Sequence, residues 1–598
     1  MKKLNIKKLI VATLMFAGLV SCKKQFDLKP GIDLDASQMY RNVYDANGAV
    51  IGIYGKFMAL ADRYVILNEL RGDLLQYTQN ADEYLRQVST HSVSADNPYA
   101  NPRPFYELII NCNDVLKNFN IMRQKNALNE LDYNQRYSDI ACLRSFLYLQ
   151  LGIHYGQVPY VTDALETVTD ANDISRFPRL TFDVLLDSLI NFTDKIPFKE
   201  VYPPDPTTTT TSTSLNYTLD AYQTQRFFIN KKVLLGDLHL WKGNYRKAAT
   251  YYREVMEIAT VGTQGENYYA QYKLGWSGNA NLYVSYSRAG DASTLLYADG
   301  WRTMFEASDD RFSREWIWAL PYDSKFSPQN PLIRLFSPIG GDYLVKPSQS
   351  ILDNWNSQQQ VPVAVAGGLT GIPYDARGLL SVRDIGGQKV AMKYLYNYIS
   401  HATNAPVNPL AKNGKWFLFR QTHLHLRFAE AANREGFHKL TYAFLNNGVP
   451  GTFAPPPPPV TVPVTPAITD MTNWMNTLSY PAPYNFDARF GEIPRYRSDW
   501  YRHIGIRRRA NVTDFVVPAG ADSLIQLENG LINEGALENA FEGTRWADLL
   551  RIALRRNDPA FLADKIYDKL RKDNVGDASA VRAKLMNKEN WYLPFKLQ

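Results

Sequence analysis

The chain has only three cysteines in 598 residues. That scarcity excludes a disulfide-stapled scaffold, and no pair stands at zinc-site spacing. Cys112 and Cys142 fall within helical patterns and read as small buried apolar residues rather than as the two ends of a bridge. Also lacking are a phosphate-cradling glycine loop and a strand-turn-helix serine nucleophile motif. No metal site and no cofactor are expected. Beyond the N-terminus, no apolar run is long enough to cross a bilayer as a helix. The basic excess is small as well. Of the formal charge of +7, four units come from Lys2, Lys3, Lys7 and Lys8, with no acid among the first 21 residues. A surplus so placed serves export, and a nucleic-acid partner is not expected.

Directly after those lysines the chain is apolar, from Leu9 to Val20. Charge and then a short apolar segment is the plan of a secretory signal, and the segment is too short to span a membrane. The quartet Leu19-Val20-Ser21-Cys22 resembles the bacterial lipobox. The resemblance implies that residues 1–21 are a signal peptide, with cleavage before Cys22, lipid on its thiol and an acylated new amino end. Two or more acyl chains anchor a protein stably where one does so marginally.

Helical periodicity dominates the rest. Apolar residues recur with helical spacing from Met39 to about Ala61 and from Pro104 to Ile121. Ile140, Leu143, Leu147 and Leu151 form one stripe of a helix over Ser138 to Gly156, and Thr181 stands as N-cap of another. Residues 227–259 read as two helices joined at Lys242-Gly243-Asn244, with Phe227, Leu234, Leu238 and Trp241 lining the first. Gly236 and Ala248 would let the two approach closely, and the spacing is that of a tetratricopeptide hairpin. One hairpin cannot bury its own apolar face, so partners must lie elsewhere in the chain. Candidates are Trp416 to Gly436, two helices over Gly530 to Arg556 broken near Gly543, and a helix begun by Pro559.

These patterns divide the mature chain into a helical region over 22–261, an irregular inserted subdomain over 262–415, and a C-terminal helical region over 416–598. The inserted subdomain is rich in Gly, Tyr, Trp and Pro, with strand-like runs such as Glu315 to Leu320. The C-terminal region carries a proline-rich insertion at 448–504, and a second low-complexity piece runs from Pro203 to Ser214.

In order along the chain come FDLKP, NELRGDLLQ (Asn68 to Gln76), FYELIINCN (Phe105 to Asn113) and LRSFLYLQLGIHYGQVPYV (Leu143 to Val161). Further on stand FAEAANREG, GIRRRANV (Gly505 to Val512), LENAFEGTRWADLLR (Leu537 to Arg551) and WYLPF (Trp591 to Phe595). Each is weak alone, but their ordered succession resembles the SusD/RagB family of outer-membrane nutrient-binding lipoproteins. The resemblance implies a mainly α fold, a solenoid of tetratricopeptide-like hairpins with an irregular ligand-facing region. It also implies a non-enzymatic role at the cell surface: capture of glycan oligosaccharides, or of peptides, and delivery to a SusC-like TonB-dependent barrel. Lys23 and Lys24 replace the acidic residues often found after the lipidated cysteine, so the outward leaflet is implied by the family and not by this motif. Two other classes stay open: a tetratricopeptide scaffold that binds only protein, and a lipid-anchored glycoside hydrolase.

Capturing a sugar takes flat aromatic faces plus polar groups for its hydroxyls. The 38 tyrosines supply a surplus of such faces. The loop from Gln76 to Phe105 offers Tyr77, Tyr84, Asn97, Tyr99 and Asn101, and the stretch from Tyr268 to Asp291 offers Trp276, Tyr283 and Tyr286. The competing reading is that these aromatics only fill irregular structure. Glu534, Glu538 and Glu542 recur every four residues, near the separation of a retaining glycosidase pair. With Arg545, Asp548 and Arg551 behind them, they read instead as an ion-pair ladder on a helix surface. His423 and His425, two apart on a helix, face different ways and do not share a metal. Arg71-Gly72-Asp73 matches an adhesion tripeptide too short to be specific.

Overall fold

A computed structural model describes residues 39–165, 177–197, 213–215, 218–219, 222–257, 300–306, 316–361, 373–453, 480–486 and 505–597. Helices dominate. α1 (Val43–Met58) is capped by Asn42, α2 spans Arg103–Gln124, and α3 spans Glu130–Tyr155 behind an Asn129 cap. Every residue of α3 from Ser138 to Tyr155 is buried, not only the expected stripe, so this helix is the central rod of the N-terminal half. Cys112 and Cys142 are both buried, and no disulfide joins them. α4 (Phe182–Asp194) starts after Thr181 as expected, although the threonine side chain makes no cap bond.

The hairpin consists of α5 (Lys231–Lys242) and α6 (Tyr245–Glu257). Its first helix begins later than the sequence suggests, because Asn230 accepts the N–H groups of Lys232 and Val233. Phe227 therefore does not line it and sits in a 3₁₀ turn, Thr224–Phe227. Gly236 is needed for a ring rather than a backbone: a Cβ there would stand 2.4 Å from the Tyr252 ring. The partner that α6 requires is indeed far downstream. It packs on α7 (Gln421–Arg434), which continues into α8 (His438–Leu445) and contacts α9 (Ser523–Glu538). After a break at Gly543 come α10 (Arg545–Arg556) and α11 (Pro559–Lys572), the latter with proline in its first turn and Asp558 as cap.

A further expectation fails. Residues Trp416 to Arg420 are not helical but belong to strand Gly414–Arg420, antiparallel to strand Trp316–Tyr322. An unbroken aromatic run suits a strand buried on both faces, and periodicity cannot separate that from a buried helix. The ribbon is held by rings: Phe57 of α1 stacks on Trp318 at 5.6 Å and packs against Trp416 at 4.7 Å. A second pairing, Leu75–Tyr77 with Val345–Pro347, ties the first hundred residues to the middle of the chain. Part of the proline-rich insertion is docked as well. Tyr484 and Phe486 pack on Phe428, and Arg246 and Arg253 donate to the carbonyls of Ala482 and Pro483. Among the described residues no helix is long and apolar enough to cross a membrane.

Candidate functional site

The glutamates spaced by four are not on a surface. Glu534, Glu538 and Glu542 are buried, and their partners come from distant elements. Arg377 lies 2.7 Å from both Glu534 and Glu538. Arg420 reaches Glu538 and Glu542 at 2.8 Å, and Lys393 reaches Glu542 at 2.6 Å. Burial alone would raise the Glu538 carboxyl, but Arg420, Arg377 and Arg509 hold it well below the usual range. A glycosidase acid needs the opposite shift, so the environment of Glu538 does not suit that role. The cluster's role is to bolt α9 to the segments at 377, 393 and 420. Arg545 likewise reaches outward to Asp73, whereas Arg551 pairs both with Glu430 and with Asp548 three residues before it on the same helix.

The NELRGD segment is also internal. Glu69 accepts the N–H groups of Gly543, Thr544 and Arg545 at 2.7, 3.0 and 3.3 Å, capping the start of α10. Arg71 is buried beneath the Trp546 ring and donates to the Trp591 carbonyl at 2.6 Å. The tripeptide is therefore inaccessible to a receptor. His423 and His425 are buried against Phe419 and Phe444.

The loop from Gln76 to Phe105 is different. Tyr77 ends its strand half-buried, with the Arg86 guanidinium 5.7 Å from the ring centre. Asp82 caps the short helix Glu83–Ser89, on which Tyr84 is half-buried. Asn97 is buried and spent within the loop: its oxygen accepts the Tyr99 N–H, and its amide donates to the Tyr84 carbonyl and to Gln87. Asn101 uses its oxygen to accept the N–H of Arg103. Arg63 gathers the carbonyls of Pro98, Tyr99 and Asn101 at 2.7, 2.7 and 3.2 Å, which fixes the stretch carrying Tyr99. The half-buried Tyr99 places its hydroxyl 3.4 Å from Asp82, and burial with that carboxylate pushes the phenol up to about 12. It stays a neutral donor.

A second loop, unforeseen in the sequence, is stitched alongside. Thr78 bonds to the carbonyls of Leu344 and Tyr343, and Asn80 donates to the Asp342 carbonyl at 3.0 Å. Arg334, in the short helix Pro331–Phe336, pairs with Asp342 at 2.7 Å while both side chains remain more than half exposed. The Arg334 charge reaches Tyr99 and Asp62. Gly340 allows the turn: its φ is +71°, and a Cβ would collide with the Tyr398 hydroxyl. The Gly340-Gly341 pair was the available sequence signal for a tight turn, but nothing local links it to Tyr99. The result is a surface that carries the Tyr99 phenol ring and an open arginine–aspartate pair. Such a surface can pack against the flat face of a ring and exchange hydrogen bonds with hydroxyls. Trp276, Tyr283, Tyr286 and Cys22 lie outside the described residues.

No family model and no curated protein matches the sequence. Solved structures do match the fold. A SusD superfamily protein from Bacteroides vulgatus aligns with a TM-score of 0.57 at 14% identity, over 93% of this chain and 96% of that one. Surface glycan-binding protein A from Bacteroides uniformis aligns at 0.55 and 15% identity, over 92% and 96%. A laminarin binding SusD-like protein aligns at 0.53 and 13%, over 93% and 96%.

Proposed function

We propose that this chain, which has the SusD-like fold, is a non-catalytic capture protein for glycan oligosaccharides. It is tethered at the cell surface by lipid on Cys22 and passes its ligand to a SusC-like TonB-dependent barrel in the outer membrane. The observation that carries the reading is the joining of the Tyr99 loop to the Arg334–Asp342 loop on one exposed face. Tyr77 and Tyr84 are proposed to extend that face, and Trp276, Tyr283 and Tyr286 to complete it. Asn97 and Asn101 act by shaping the loop. The names of two structural neighbours, one glycan-binding and one laminarin-binding, support sugars ahead of peptides.

A protein-only scaffold is the second reading. It is favoured by α1, which leaves Tyr44 and Ile51 exposed above Gly48, Gly52 and Gly55. Titrating the lipid-free protein with oligosaccharide and peptide pools, read by intrinsic tryptophan fluorescence, separates the two. Saturable sugar binding without turnover supports capture, binding of neither pool leaves the scaffold, and hydrolysis would overturn both.

A further inference from the structure

Between the helices of the N-terminal half and the buried strand ribbon lies a cavity of about 40 Å³. Phe146 and Trp318 form part of its wall, and Asn68, Gln150, Asn230 and Asp237 also line it. We infer that this cavity is a built water site, holding ordered water between Asn68 and Asn230 as a fixed part of the fold.

Two buried amides carry the inference. Asn68 and Asn230 are 1% and 3% exposed. The Asn68 Oδ1 and the Asn230 Nδ2 have no hydrogen-bond partner in the protein. Neither lack can be repaired by turning the amide over. Asn230 Oδ1 already accepts the N–H groups of Lys232 and Val233, at 2.8 and 3.1 Å, as the cap of α5. Asn68 Nδ2 already donates to the Tyr64 carbonyl and to Gln150 Oε1, at 3.1 and 3.2 Å. Two residues that line the cavity thus carry one atom that needs a donor and one that needs an acceptor. Water is both, and an apolar guest is neither. At about 40 Å³ the cavity exceeds the roughly 10–15 Å³ that a single water needs.

The test uses the full lipid-free chain. A high-resolution crystal structure is expected to show density within hydrogen-bond distance of Asn68 Oδ1 and of Asn230 Nδ2. Crystals pressurised with xenon are expected to take none there, because only a dry apolar cavity favours the gas. In solution, oxygen-17 relaxation dispersion counts long-residence waters, and Asn68→Leu is expected to lower that count by at least one. Should that variant not fold, Asn230→Thr keeps a capping oxygen and sets a methyl group in place of the amide donor, with the same loss expected. Xenon occupancy, an empty cavity, a soaked polyol in place of water, or an unchanged count would each overturn the inference.

Discussion

Arginine meets carboxylate in two settings here. Around Glu538 the groups are sealed from water, each oxygen has a cation, and partners come from three separate stretches of chain. Around Asp342 the single pair with Arg334 stands more than half exposed beside Tyr99. The chemistry is the same, but the roles diverge. A sealed network has no capacity left for a ligand and holds elements in register, and an open pair contributes little to stability while keeping donors free for a guest. Residue type alone would have assigned both to one class; burial separates them.

The contrast breaks most visibly at its sealed end. Glu538→Gln leaves Arg420 and Arg377 short of countercharge and is expected to cost about 3–5 kcal/mol in urea denaturation of the lipid-free chain. A loss below about 1 kcal/mol would place the network on the side of the open pair. Acid sharpens the same point. Burial would raise the Glu430 carboxyl, but Arg551 and Arg555 hold it at about 2, below the ordinary 4.5. Its folded value is the depressed one, so its contribution is complete above pH 4.5 and is lost as pH falls towards 2. Glu430→Gln is expected to flatten the stability profile in that window by about 3 kcal/mol, whereas Arg334→Ala leaves the profile unchanged.

On the open side the expected effects move from stability to binding. Tyr99→Ala and Trp276→Ala are each expected to weaken oligosaccharide binding about tenfold, near 1.4 kcal/mol, without unfolding the chain. Calorimetric titration with parallel melting curves checks both. Smallest of all is the stability change for Arg334→Ala, expected to be under about 1 kcal/mol, although its ligand affinity falls. A large melting shift in that variant would erase the distinction between the two settings.

The fold was legible wherever local chemistry decides it. Gly243 marks the turn of the α5–α6 hairpin, Pro559 starts its helix, and Gly236 marks the close approach of the two hairpin helices, where the Tyr252 ring packs. The strand at Gly414–Arg420 was not, since four consecutive apolar residues carry no period. Half of the candidate site could be read: Tyr99 lies in an aromatic loop outside any helical stripe. Arg334 and Asp342 could not, because the pairing of Leu75–Tyr77 with Val345–Pro347 brings them alongside from far down the chain. The burial of Glu538 was hidden for the same reason, its partners being Arg377 and Arg420.

The most direct test is calorimetric titration of the lipid-free chain with a panel of neutral and acidic oligosaccharides, repeated for Tyr99→Ala and Arg334→Ala. The account predicts saturable binding of at least one sugar, weakened in both variants while their melting temperatures stay close to that of the parent. Binding of equal affinity in all three proteins, or no binding of any sugar by the parent, would contradict it.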